Sequence, residues 1–333
     1  LPQHLCLRDA QGQVLAAAPL YLKTNSYGEF VFDWSWADAY QRAGLRYYPK
    51  LVSAAPYTPA TGSKLLLHPQ APEDTGRLLA EAGLALARRL EVSSLHWLFT
   101  PEDETQLLES CGLLRRVGCQ FHWHNAGYAD FPDFLATLSA AKRKNIKRER
   151  RRVAEQGIRF ERLHGDEISD EQWHIYHQLY RSTFTKHGGW ATLSEGFFRR
   201  IGELMPEAVL LVMAYDGRRP VAAAFDLVGT DTLYGRHWGC FEDYHSLHFE
   251  ACYYQGLDYC IERGLQRFEP GAQGEHKVAR GFLPTETYSA HWLADPRFQH
   301  AVADFVRREQ AGVADYAATL EERSPYRKDP GQE

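Results

Sequence analysis

The sequence predicts an α+β fold with mixed, mainly antiparallel sheets, and three observations carry that reading. A block of features recurs in the same order along the chain. Three apolar runs between 208 and 239 are separated by turns short enough for hairpins. The helices around them are clustered and do not alternate one-for-one with strands, as a doubly wound parallel sheet would require. The recurring block is DAQGQVLAAAPLYLKTNSYGEFVFDWSW at 9–36 and DGRRPVAAAFDLVGTDTLYGRHWGCFEDY at 216–244. Each copy opens on a turn, passes through VLAAA or VAAA, turns again, and enters a strand that begins Tyr-Gly and ends in aromatics. A helical stretch and an extended Pro- and Gly-rich segment follow each copy, KLVSAAPYTPATG at 50–62 and QRFEPGAQG at 266–274. Such register predicts a duplicated α/β unit, with domains at 1–125 and 126–333. The first copy starts only at its hairpin strands, so its leading helices are expected upstream of Leu1.

In the first domain, SLHWLFT (94–100) and RRVGCQFHWHN (115–125) read as closing strands, and 128–134, with Pro132, as a connector. The second domain is predicted to begin with a long helix over about 131–156, then a strand near 158–163. A helix from Asp170 to about His187 follows, with Trp173, Tyr176, Leu179 and Tyr180 on one face. After the Lys186–Trp190 loop come a short helix near 194–204 and strands at 208–215, 221–228 and 232–239. From about His245 to Arg263, Phe249, Cys252, Tyr253, Leu257, Cys260 and Ile261 recur at helical spacing, and Gly264 is placed to cap that helix in the left-handed conformation. A last helix starts near Pro296 and runs to about 322.

An apolar fraction of 44% and a charged fraction of 24% are those of a folded globular chain. No apolar run approaches the ~18 residues of a membrane span, and no signal-peptide pattern opens the chain. The six cysteines show no metal-ligand spacing and read as reduced, buried thiols, which predicts a cytoplasmic protein. His122 with His124, and His174 with His177, lack a third ligand at motif spacing, so no metal is predicted. The run KRKNIKRERRR (142–152) holds eight Lys/Arg and one Glu, a net of +7 in a chain of net −5. Its bland reading is a solvated helix face. Its functional reading is an anion contact through Lys142, Arg143, Lys144 and Arg148, to tRNA or a phosphorylated precursor, without sequence readout.

Several stretches resemble a bacterial FemAB-like group of N-acyltransferases, with a tandem GNAT fold similar to the Fem peptidoglycan aminoacyl ligases. They are FDWSWADAY, YYPKLVSAAPYTPATG, KRKNIKRERRRVAEQGI, RHWGCFEDYHSLHFEACYYQGLDYCIERG and FEPGAQGEHKVARGFLP, together spanning essentially the whole chain. The resemblance implies two tandem GNAT-like domains, with the donor site in the second, and transfer of an acyl or aminoacyl group to an amine. The acceptor is expected to be a small molecule or peptide, such as a peptidoglycan precursor. The donor is acyl-CoA or aminoacyl-tRNA, with no tightly bound cofactor. The usual GNAT pyrophosphate signature is replaced by Glu242-Asp243-Tyr244-His245, whose acids would repel a diphosphate. Two other classes stay open. One is a non-catalytic protein that recognises a cell-wall precursor, and the other is nucleic-acid binding through 142–152.

Acyl transfer to an amine needs a proton acceptor and donors for the developing oxyanion. In FEPGAQGEHKVARGFLP (268–284), Gly271, Gln273 and Gly274 would let backbone N–H groups approach a ligand. Lys277 and Arg280, three apart, would share a face and stabilise charge, while Glu275, His276 or Glu250 would handle protons. Strand alternation sends Arg236 and Trp238 to one face and His237 to the other, at the end of the third hairpin strand. Glu250 and Tyr254, one helical turn apart, are expected to face the same cleft. In the first copy Asp33, Trp34 and Tyr57 take comparable places, and the expectation is that they bind an acceptor between the domains. No cysteine or serine sits in a nucleophile motif, which predicts direct transfer.

Overall fold

The computed structural model describes residues 1–186 and 188–327; His187 of the predicted loop and the last six residues of the predicted second domain lie outside the described residues. The chain divides into two compact units, Leu1–Gln120 with Thr285–Thr319, and Phe121–Pro284 with the segment from Leu320.

The first unit opens with β1 (Leu5–Arg8), β2 (Val14–Ala18) and β3 (Tyr21–Lys23), then α1 (Trp34–Arg42) and β4 (Lys50–Ser53). It continues through β5 (Leu66–Leu67), α2 (Thr75–Arg89), β6 (Ser94–Thr100), α3 (Glu102–Ser110) and into β7 (Leu114–His124). Leu79, Ala80, Gly83, Leu84 and Ala87 recur every three or four residues, giving α2 one apolar stripe. That stripe packs with Leu95 and Trp97 of β6 and Leu108 of α3. The strand read as opening at Tyr27-Gly28 in the first copy is a loop over 27–33 instead. The buried Lys50 ammonium draws this loop inward, donating to Ser26 Oγ at 2.8 Å, Glu29 Oε2 at 2.7 Å and Asp33 Oδ2 at 2.5 Å. The backbone at Phe30 takes φ 61°, outside any strand.

The second unit holds α4 (Phe131–Thr137), α5 (Ala140–Glu155), β8 (Ile158–Leu163), α6 (Asp170–Lys186), α7 (Glu195–Leu204), β9 (Val209–Asp216), β10 (Arg219–Val228) and β11 (Thr232–Cys240). Next come α8 (Leu247–Phe249), a π turn over Glu250–Tyr254, α9 (Gln255–Arg263), β12 (Arg267–Glu269) and a 3-10 helix over Glu275–Arg280. Its strand order from the end of β7 is β12-β11-β10-β9-β8. β9, β10 and β11 are the predicted antiparallel hairpins, while β12 runs parallel to β11. Side chains alternate across this sheet: Ala224 joins the core under α4 and α9, and Phe225 the core under α6 and α7. Gly264 caps α9 at φ 68° as predicted. The helix predicted over 131–156 is broken at Leu138, whose extended backbone pairs with Tyr326 while Ser139 N–H donates to Pro325 O at 2.8 Å.

The chain then returns to the first unit as β13 (Leu283–Leu293) and α10 (Pro296–Glu321), which corrects the predicted second domain of 126–333. β13 pairs antiparallel with β6, from Tyr288 opposite Thr100 to Leu293 opposite Ser94. From α10, Phe298, Val302 and Phe305 pack on Trp36, Tyr40 and Tyr47. Among the described residues no helix is long and apolar enough to cross a membrane, and no cluster of three His, Cys, Asp or Glu is disposed to hold a metal.

Candidate active site

Two neighbouring parallel strands of the second unit part at one point. β11 and β12 pair from Thr232 opposite Arg267 to Tyr234 opposite Glu269, and the pairing stops there. Pro270 has no N–H to continue it, and Gly271 turns the chain away at φ 91°. On its other edge β11 stays paired with β10, but the register shifts between Phe225 and Asp226 and leaves Arg236 unmatched. This bulge corrects the simple alternation expected for Arg236, His237 and Trp238. Gly235, at the parting, has no room for a side chain: an added Cβ would lie 3.0 Å from Pro270 Cα and 3.3 Å from Asp226 Oδ1.

The parting opens a cavity of about 100 Å³. β10 and β11 line it with Asp226 and Gly235–Trp238, the helix after them with His248, Cys252 and Tyr253, and the loop with Pro270 and Gly271. The structure thus brings Arg236, His237, Trp238 and Gly271, all singled out from sequence, to one cavity. Burial and the Arg236 charge hold the His237 imidazole well below its usual pKa, so it is neutral, and its Nε2 is buried without a hydrogen bond. Burial lowers Arg236 to about 10. His248 is held down to about 4 by burial first and then by the charges around His276, Lys277 and Arg280.

Lys277 is 2% exposed, and its ammonium donates to Gly271 O at 2.7 Å. Burial lowers its pKa to about 8, with Cys252 close enough to oppose that shift. The loop geometry depends on Gly274, which enters the 3-10 helix at φ 115°, ψ 95°. His276 is exposed and pairs through Nε2 with the Tyr253 hydroxyl at 2.9 Å. Partial desolvation and the Arg280 and Lys277 charges keep it below 6.5. Gln273 and Glu275 are exposed on the same loop, Glu275 lying 3.9 Å from Arg323.

Other predicted residues serve the architecture. Arg280 donates to Glu149 Oε1 at 2.7 Å and His276 O at 2.6 Å, and its guanidinium lies 3.4 Å over the Phe249 ring. Glu250 and Tyr254 do not line the cavity. The five residues between Phe249 and Gln255 form one wide π turn, so Tyr253 takes the place that regular α-helical spacing gave to Tyr254. Glu250 is instead clamped by Arg150, at 3.0 and 3.2 Å, and Tyr254 bonds to Glu149. In the first unit, Asp33 is 2% exposed and consumed by Lys50 and by Tyr47, whose hydroxyl donates to it at 2.6 Å. Trp34 and Tyr57 are 39% and 36% exposed.

The basic run becomes α5 and divides by face. Arg150 and Arg152 are tied to Glu250 and His245, and Arg143 to Leu138 O. Lys144, Lys147, Arg148 and Arg151 point to solvent, with Lys142 half-buried. The residues that sequence reasoning missed are Asp226, Cys252 and Tyr253. A lone carboxyl inside the apolar run VAAAFDLV was the available signal for the first.

A comparison with curated proteins gives no match. Among solved structures, L-PGS from Bacillus licheniformis superposes with a TM-score of 0.58 at 10% identity, over 91% of this chain and 89% of that one. FemX superposes with a TM-score of 0.53 at 11% identity, over 91% and 90%. These are tandem GNAT-fold proteins, and at such low identity they show that this chain has the same fold. The FemAB-like family, described as peptidoglycan biosynthesis/recognition, matches residues 1–328. With nearly its whole length matched, the chain belongs to the FemAB-like family.

Proposed function

We propose that this protein is an N-acyltransferase that moves an acyl or aminoacyl group directly from an activated donor to an amine on a cell-wall-related acceptor. The observation that carries the reading is the parting of β11 from β12, which opens a sheet to a cavity ringed by ionisable groups. Transfer forms one N–C bond at the acyl carbonyl and breaks the bond to the donor's leaving group. Lys277, buried beside the opening, supplies positive charge to the oxyanion that develops. Gly271 and Gly274 leave the loop backbone bare enough for close approach. The Tyr253–His276 pair connects the cavity wall to an exposed imidazole that exchanges protons with solvent. Burial raises the Cys252 thiol far above its usual range, so it stays protonated, which favours direct transfer over an acyl-enzyme.

The donor is an acyl-CoA or an aminoacyl-tRNA. Glu242, held by Arg219 at 2.6 Å beside Asp243, occupies the stretch where the GNAT resemblance expects a pyrophosphate signature, and this weighs against CoA. The exposed cations Lys144, Lys147, Arg148 and Arg151 suit a polyanionic donor. The acceptor is a peptidoglycan-precursor-like molecule or a peptide.

The test is thermal stability against a panel of acyl-CoAs and an aminoacyl-tRNA mixture, wild type beside Lys277→Ala. A ligand at 100 times its Kd stabilises by about 2.7 kcal/mol, several degrees for units of this size. A shift with one donor class that is lost in the variant supports the reading and names the donor. A precursor that binds while no donor is ever turned over overturns it in favour of pure recognition.

A further inference from the structure

Asp226 is the least explained charged residue of the second unit. It lies in β10, in the apolar run Val221–Val228, and is 3% exposed. Its carboxyl lines the cavity and lies against Gly235, where the strands part. Among the described residues it has no hydrogen-bond or ion-pair partner, and burial alone drives its pKa far upward. Glu149, Glu250 and Asp33, the comparable buried acids, each have an arginine or lysine partner. A buried carboxyl without a partner is held in its protonated form, and ionises only when a cation arrives to pair with it. The cationic groups near the cavity are unsuited to that task. Lys277 is turned to Gly271 O, His237 and His248 are neutral, and Arg236, which lines the same cavity, interacts with Tyr176 and Tyr180 and does not hold the Asp226 carboxyl.

The cavity's size limits what arrives. A cavity of about 100 Å³ that opens to solvent admits a short chain of heavy atoms while the rest of the molecule stays outside. A bulky or anionic group does not fit beside Asp226, whereas the aminoalkyl end of a longer molecule does.

We propose that Asp226 is the seat of the acceptor amine: a primary ammonium enters the cavity, the buried acid gives up its proton to solvent and pairs with it as a carboxylate, and the ammonium then passes one proton to that carboxylate as the nitrogen becomes nucleophilic. This rests on the acyl-transfer reading for the bond-forming step. The amine nitrogen then bonds to the acyl carbonyl carbon, the bond from that carbon to the leaving group breaks, and the second nitrogen proton leaves with that group. Asp226 is left protonated, its resting form, and the proton it releases as the next ammonium binds goes to solvent, for which Tyr253 and His276 offer a path from the cavity wall.

The test uses the full chain, with melting followed at pH 8 in n-propylammonium chloride, in n-propanol, and in sodium chloride at matched ionic strength. Wild type is compared with Asp226→Asn, which keeps the shape and cannot ionise. The expected result is a rise of several degrees with propylammonium over both controls in wild type, abolished in the variant. The variant alone is expected to melt no lower than wild type, because a residue held for function at a cost to stability can be neutralised without loss. Should the Asn variant not fold, Asp226→Ala carries the same comparison. No propylammonium effect in wild type, or an effect that survives in the variant, overturns the proposal. Once a donor is found, turnover in Asp226→Asn should fall by about 100-fold or more, the usual worth of a general base. An Asp226-dependent amine shift with no donor turned over would leave the amine site standing and remove the transfer reaction.

Discussion

A single ammonium at the parted strands makes a sharp prediction about stability. Lys277 has a folded pKa of about 8 against about 10.4 when unfolded, so folding discourages its proton. Below pH 8 both states are charged and the full cost is present, on the order of 3 kcal/mol. Between pH 8 and 10.4 the unfolded state binds more protons than the folded one, so stability rises with pH across that window. Lys277→Met should therefore be more stable than wild type at pH 7, by about 1–3 kcal/mol, and that advantage should shrink by pH 9.5. Urea melts at the two pH values test it; an equal gain at both would mean the ammonium is not strained. At this scale the sequence was half legible. Lys277, Arg236, His237 and Gly271 were singled out because charges and glycines stand out against an apolar background, and the structure gathers them around the parted strands. Arg280 and Glu250 were misread because sequence does not show which charges find each other, and both are spent on internal ion pairs.

The π turn at Glu250–Tyr254 explains why helical spacing failed just where it mattered. One extra residue in the turn rotates the helix beyond it, bringing Cys252 and Tyr253 to the cavity and sending Tyr254 to the core with Glu149. The clamp behind it is the Arg150 guanidinium, which holds Glu250 and Asp258 and stacks 4.4 Å over Phe131. Arg150→Ala strands the buried Glu250 carboxylate and should cost about 3–5 kcal/mol in urea unfolding. Adding Glu250→Gln should recover a substantial part. If the double variant is no better than the single, the clamp acts through packing and not charge. On the solvent face of the same α5, Lys144→Ala with Lys147→Ala should change stability by no more than about 0.5 kcal/mol. The elements themselves were legible wherever periodicity was strong, as in β8–β11 and the helix closed by Gly264. β13 went unread because its partner strand is nearly 200 residues distant and leaves no local signature.

Across the molecule, burial keeps a set of imidazoles neutral. His96 and His291, joined Nδ1 to Nδ1 at 2.7 Å in the first unit, are both held well below the usual range by desolvation and nearby cations. His122, at about 3, and His237 behave alike in the second unit. Each takes up a proton near pH 6.5 only when unfolded, so their stabilising contribution is complete above that pH and falls as the pH drops. The His96–His291 pair alone predicts a loss of about 2.7 kcal/mol per pH unit below 6, from two protons. Urea midpoints at pH 7.5, 6.5 and 5.5 measure it, and a flat profile would mean that one imidazole is already charged in the fold. The duplicated-unit reading found the α+β class and the hairpin sheet of the second unit. Its boundary failed because contiguity in sequence was taken for contiguity in space.

The return of β13 and α10 to the first unit has a consequence for the order of synthesis. As the chain leaves the ribosome, β6 emerges with Leu95, Trp97 and His96 ready to be buried, while the strand that pairs with it waits behind residues 121–284. At ordinary translation rates that wait is about ten to thirty seconds. The second unit can thus complete most of its structure while the first is still an open edge, reversing the usual N-to-C order of domain folding. A stalled nascent chain ending near residue 284 should show the second unit protected from protease and the first still cleavable, and the holding chaperones of the cell are expected to find their binding segment there.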